Sequence, residues 1–283
     1  MKLKKLIYNV SLFAVGLTLA ACSDIAEDDR FEYVEPAEVA KRVLIEDFTG
    51  QNCLNCPKGA SVIEQLIADY GEDNIIAVGL YGGDLGLPST HPLSLTCDES
   101  QWYYDYWGIV GQPSAKVDRG ETMQNPDIWP TVVREKIQQK APVLLEASCN
   151  YDEASRNVEI TVSADGLENI NGKLQVWLTE DNIVSVQMLP GYVVDQNYVH
   201  NHVFRATVNA QAGDDISIAQ GENVTRTFTY TVSEDWKPED MSVVTFVFND
   251  SGVLQAAKAP LIPKAEEPGT GEGGESEGGD AAE

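Results

Sequence analysis

The chain has 283 residues, of which 45 are Asp or Glu and only 19 are Lys or Arg, giving a formal net charge of −26 at pH 7. So acidic a surface repels a phosphate backbone, which makes nucleic acid a poor partner. The length supports two ordinary domains with real cores, and five cysteines make the redox compartment part of the question.

At the N-terminus Lys2, Lys4 and Lys5 precede an apolar run that ends in Leu19-Ala20-Ala21-Cys22. A short apolar run behind lysines reads as a secretory signal over residues 1–21, and it is too short for a confident membrane span. Small residues immediately before a cysteine have the layout of a bacterial lipoprotein cleavage box. Cys22 is then expected to become the first residue of the mature chain and to be acylated, which makes the lipid bilayer a partner. Ser23, where Asp would retain such a protein, directs it onward to the outer membrane. Asp24 and Glu27-Asp28-Asp29 within the acidic tether, residues 22–40, resemble a surface-export signal and read equally as a solvated spacer. Both the periplasmic and the cell-surface face stay open.

The next stretch organises the chain. An apolar strand from Val43 to Phe48 runs into Cys53-Leu54-Asn55-Cys56-Pro57 at the start of a helix. Two thiols three positions apart can close a small disulfide, Cys53–Cys56. The dipole and free amides of a helix start favour a thiolate. Cys53 is the candidate nucleophile, and Cys56, read as further in and more buried, the candidate resolving thiol. No second Cys or His pair at ligand spacing follows, so zinc is the lesser reading and no metal is expected. Val62, Ile63, Leu66, Ile67 and Tyr70 recur at helical spacing, Gly71 stops the helix, and residues 74–80 read as a buried parallel strand. An aromatic-rich helix over 98–107, a strand over 114–118 and a helix over 128–139 complete a first domain, residues 41–141.

This order resembles a thioredoxin fold. Members of that family carry an acidic residue six before the first active-site cysteine, followed by Phe, as do Asp47 and Phe48 here. They also carry a cis-proline entering a strand that faces the disulfide, a position matched by Pro113. The resemblance implies that Asp47 moves a proton to or from Cys56 and that Pro113 shapes substrate docking. Asn52, Leu54-Asn55 and Gln112 depart from the family pattern, which leaves reduction potential and partner open.

From Pro142 the period changes to two. Eight short strands between Asn/Asp/Gly turns predict an antiparallel, immunoglobulin-like β-sandwich over residues 142–264. Cys149 falls in phase with Leu145 and Ala147, as an inert buried thiol; Cys97 pairs with it only if the two domains pack closely. His200 and His202 stand two apart near Asp195 without a clear third ligand, so they read as a hydrogen-bonded loop. Residues 265–283 hold six glycines, seven acidic residues and no basic one, a disordered tail. The cleavage box, Phe48-Thr49-Gly50 before the cysteine pair, and His200-Asn201-His202-Val203-Phe204-Arg205 together resemble the lipoprotein family named after a twenty-eight-kilodalton outer-membrane protein.

Two functions follow as expectations. One is thiol-disulfide exchange on extracytoplasmic proteins at the outer membrane, with no dissociable cofactor and an unknown protein partner. The other is a surface-exposed binding lipoprotein whose Cys53–Cys56 bond is only a staple.

Overall fold

The computed structural model describes residues 39–263 apart from 121 and 124. The expected signal peptide, Cys22, the tether to residue 38 and the acidic tail lie outside the described residues. In chain order the first part runs β1 (Val43–Thr49), α1 (Cys56–Tyr70), β2 (Ile75–Tyr81), α2 (Asp98–Trp107), β3 (Ser114–Val117), β4 (Thr122–Met123) and α3 (Trp129–Lys136).

β1 is buried at every residue. Successive side chains of a strand point to opposite faces, so its alternate residues fill two different cores. Val43 and Ile45 meet Ile63 and Leu66 of α1, Trp129 and Val133 of α3, and Ala115 and Val117 of β3. Leu44 and Phe48 face the other way, onto Tyr103 and Tyr104 of α2. β2 runs parallel to β1, Val43 opposite Ile75 and Thr49 opposite Tyr81, and β3 runs antiparallel on the other side. α1 has Pro57 in its first turn, where the missing N–H costs nothing, and ends at Gly71 with φ of 90°.

The second part is all strand: β5 (Val143–Asp152), β6 (Asn157–Gly166), β7 (Ile170–Glu180), β8 (Ile183–Leu189), β9 (Val193–His200), β10 (Val203–Thr207), β11 (Asp214–Ile218), β12 (Asn223–Thr231), β13 (Met241–Asn249) and β14 (Gly252–Pro260). β12, β6 and β5 form a three-stranded antiparallel sheet. Val158, Ile160, Val162 and Ala164 alternate inward from β6 and pack on Val176 and Leu178 of β7 and Val243 and Val247 of β13. Two strands escape the sequence pattern. β9 is largely exposed and carries Asp195, Gln196 and Asn197, while β11 opens on Asp214 and Asp215.

The period change at Ala141-Pro142 does mark the passage from α3 to β5, but it does not separate two sheets. One path runs β14-β13-β7-β10-β2-β1-β3-β4, with β11 on β7. The joint lies between β10 and β2, where Val203 stands opposite Gly79 and the Gly79 N–H donates to the His202 carbonyl at 2.7 Å. The core beneath this joint is shared: Leu44, Phe48, Tyr103 and Tyr104 pack with Trp177, Phe204, Val244 and Phe246. Trp177 Nε1 donates to Tyr103 Oη at 2.9 Å, and the Trp177 ring meets Tyr103, Phe204 and Phe246 edge-on. Each such aromatic pair adds about 0.5–1.5 kcal/mol beyond its buried area. The described residues form one compact unit.

Glu46, on the same face of β1 as Leu44 and Phe48, is fully buried and would be costly there alone. Arg119 reaches it at 3.3 Å and lays its guanidinium over the Phe248 and Phe246 rings. Burial pushes the Glu46 carboxyl upward, and the Arg119 charge opposes that shift.

Candidate functional site

Asn55 precedes the helix and Cys56 is its first residue, so Cys53 sits in the turn before α1 rather than in its first turn. Cys53 and Cys56 are disulfide-bonded, with Cα atoms 5.4 Å apart. The expected contrast in exposure needs correction: Cys53 is 0% and Cys56 2% exposed. The cover comes from the β8–β9 hairpin, more than 130 residues away in sequence. Gln187 Nε2 donates to the Cys53 carbonyl at 3.0 Å and the Gly50 carbonyl at 3.3 Å, and Met188 N–H donates to the Gln51 carbonyl at 2.7 Å. Gln51 answers from below. Its Nε2 donates to Leu93 O, Ser185 Oγ and Val186 O, and its Oε1 accepts from the Leu95 N–H. Gly50 is required by the loop after β2, because a Cβ there would stand 2.5 Å from the Leu85 carbonyl oxygen.

Asp47 lies on the α1 face of β1, in line with Val43 and Ile45. It is 5% exposed, and its Oδ1 has no hydrogen-bond partner among the described residues. Burial alone pushes its carboxyl up to about 8, so it is mostly protonated at neutral pH. Asp47 and Cys56 line the same cavity of about 40 Å³, together with Tyr81, Gln187 and His200. Room of this size admits a water or two.

The Gln112–Pro113 bond is cis and opens β3. Pro113 packs against α1, since a Cβ on Gly59 would lie 3.4 Å from Pro113 Cβ. Gln112, a departure from the thioredoxin pattern, ties three elements together. Its Nε2 donates to the carbonyls of Thr49 at 2.6 Å and Gly82 at 2.9 Å and to Tyr104 Oη at 2.6 Å.

The two histidines part company. His200 is 1% exposed and its Nδ1 lies 2.8 Å from Tyr81 Oη, whereas His202 Nδ1 lies 3.0 Å from Asp181 Oδ1. Both find polar partners, but His200 ends a strand. Burial pushes the His200 imidazole down to about 4, so it is neutral at pH 7. Cys97 and Cys149 are free thiols, Cys97 capping α2 by accepting from the Ser100 N–H at 3.4 Å. Burial raises the Cys149 thiol to about 12, which makes it inert. Among the described residues no three His, Cys, Asp or Glu side chains cluster to hold a metal ion.

The fold and site thus define a β-rich protein that carries a covered disulfide beside a buried, unpaired carboxyl. Residues 100–264 match the family described as Outer membrane protein Omp28. The chain belongs to that family, which places it at the outer membrane. HBP35 of Porphyromonas gingivalis is similar in structure, with a TM-score of 0.63, 19% identity, and coverage of 81% of this chain and 79% of that one. A protein of Agrobacterium tumefaciens aligns at a TM-score of 0.50 and 17% identity, over 82% of this chain and all of its own. A domain of the outer membrane lipoprotein Omp28 from Porphyromonas gingivalis aligns at 22% identity and a TM-score of 0.32, over 44% of this chain and 92% of that one. At these identities the first two show likeness of fold alone. No curated protein matches the chain in sequence. No helix among the described residues is long and apolar enough to cross a membrane.

Proposed function

We propose that this chain is a lipid-anchored outer-membrane protein that exchanges disulfides with extracytoplasmic proteins, residues 41–141 acting as a thioredoxin-like unit and 142–264 as an immunoglobulin-like sandwich. The observation that carries the reading is Asp47. A staple has no use for a buried carboxyl without a partner, which costs stability, whereas an exchanging disulfide needs a proton donor beside the thiol that leaves.

The chemistry then balances as follows. A partner thiolate attacks Cys53 Sγ, the Cys53–Cys56 bond breaks, and Cys56 leaves as a thiolate that takes the Asp47 proton. The partner's second thiolate displaces Cys53, so the partner's dithiol is oxidised to a disulfide and the two electrons rest on Cys53 and Cys56. The reverse sequence reduces a partner disulfide. Gln187 must swing off the turn for either direction, because it covers Cys53. Pro113, buried beside α1, would shape docking from beneath the surface rather than by touching the incoming chain.

The test is a trapped intermediate. In reduced Cys56→Ser, oxidised glutathione should leave an adduct on Cys53, read by mass spectrometry, and no adduct should form in Cys53→Ser. Absence of any adduct in Cys56→Ser would count against exchange.

Anchoring is proposed through acylated Cys22. Cys22→Ala should lose labelling by radioactive palmitate, and retained labelling would contradict the anchor.

A second reading, a surface-binding lipoprotein with a structural disulfide, draws on the complete burial of Cys53 and on the exposed Val184, Tyr192, Val193 and Val199 of the hairpin that covers it.

A further inference from the structure

If Asp47 gives its proton to Cys56, the carboxylate left behind must be recharged at the inner wall of a partly open cavity. Asp47 itself makes no contact that could do this: it is 5% exposed and its Oδ1 is unpartnered among the described residues. The cavity it shares with Cys56 is lined on another side by Tyr81 and His200, and its remaining lining includes the exposed Glu64 and the partly exposed His202.

We propose that Tyr81 and His200 form the route by which Asp47 regains or releases its proton, so that a strand of the second half of the chain completes the exchange site of the first. The inference rests on the exchange reading above. Three observations carry it. Asp47 and Tyr81 share one face of the sheet, because Asp47 stands opposite Gly79 and Tyr81 lies two residues further along β2. Gly79 lets the Tyr81 ring lie close over the sheet on that face, since a Cβ there would stand 3.2 Å from the ring. His200 is buried, holds Tyr81 Oη at 2.8 Å through Nδ1, and has an Nε2 with no partner among the described residues.

The electrostatic surroundings fit a relay. The groups facing His200 are Asp195 and Tyr198 of its own strand, Tyr81 of β2, and the Ser185 and Val186 carbonyls of β8. Glu64 of α1 and His202, itself paired with Asp181, line the same cavity. Burial outweighs the carbonyls and Asp195, which favour the charged form. A neutral imidazole at pH 7 accepts at one nitrogen and donates at the other, so it can pass a proton without retaining charge. Tyr81 does not ionise: burial and then the Asp47 charge push its phenol well up. It therefore hands on a proton only by accepting one as it donates one. The pair acts through Asp47 and touches no substrate, so both are positioning residues.

The experiment uses the full chain and dithiothreitol as the partner dithiol, with two readouts. Exchange is followed by stopped flow against pH, and the Asp47 carboxyl titration by NMR of carbon-13-labelled aspartate. In His200→Ala the exchange rate at pH 7 should fall at least about tenfold, a modest share of the range typical of proton-transfer groups. Added imidazole should restore it, and the Asp47 midpoint should move. Tyr81→Phe, which removes only a hydroxyl, should move the midpoint and slow exchange in the same direction. Wild-type rates in both variants with an unmoved midpoint would overturn the proposal. So would a loss of rate that imidazole does not restore while the midpoint stays put, because that marks a structural role. Should the wild-type chain exchange with no dithiol at all, the exchange reading falls, and the midpoint alone decides: a shift in His200→Ala keeps the linked pair, and none overturns it.

Discussion

Asp47→Asn is expected to make the oxidised protein more stable, by about 3 kcal/mol at pH 7, while slowing disulfide exchange. The sign follows from linkage. Burial raises the folded-state value to about 8 against an ordinary 3.8, so between those two values the folded protein holds a proton that the unfolded chain has released. Stability contributed by such a group is complete below about pH 4 and declines as pH rises toward 8. At pH 7, about three units above the ordinary value, the cost is about 4 kcal/mol at 1.36 kcal/mol per unit. Asparagine does not titrate and escapes that cost, though its buried amide returns about 1 kcal/mol of it. Urea denaturation of wild type and variant should therefore coincide near pH 4 and separate steadily toward pH 8. Parallel curves at all pH values would mean that Asp47 is ionised in the folded protein. Gain of stability with loss of rate is the exchange expected of a residue kept for chemistry.

The isolated segment 41–141 is expected to lose its native fold, although the change of period at Ala141-Pro142 reads as a domain boundary. Cutting there strips Leu44, Phe48, Tyr103 and Tyr104 of Trp177, Phe204, Val244 and Phe246, and leaves β2 without β10. Losing even two of the aromatic partners costs about 3–5 kcal/mol each, and a domain has only about 5–15 kcal/mol in hand. An amide proton spectrum of the fragment should be poorly dispersed. A well-dispersed spectrum would show that the first part closes its own core.

The elements nearest the disulfide were legible because their signals are local. Pro57 in the first turn, the spacing of Ile63 and Leu66, and the buried run of β1 each lie within one element. Asp47 could be singled out because the resemblance to thioredoxins turns on a spacing along one strand and turn, six residues before Cys53. The shared sheet was not legible, since a parallel bridge at Val203 and Gly79 leaves no periodic trace in either strand. Nor were Gln187 and His200 as parts of the site. β9 is exposed at most positions, so no alternation marks it, and both residues meet their partners across more than 100 positions of chain. His200 did stand out by type. Only Tyr81 Oη at its ring nitrogen gives it a role different from that of His202.

Whether Cys53–Cys56 is a working disulfide or a staple is decided most directly by its reduction potential, measured by equilibrating the full chain with glutathione or a reference dithiol and alkylating the free thiols. An exchange protein should equilibrate above about −300 mV, within reach of such couples. A bond that stays fully oxidised below about −300 mV would contradict the account and leave the binding lipoprotein.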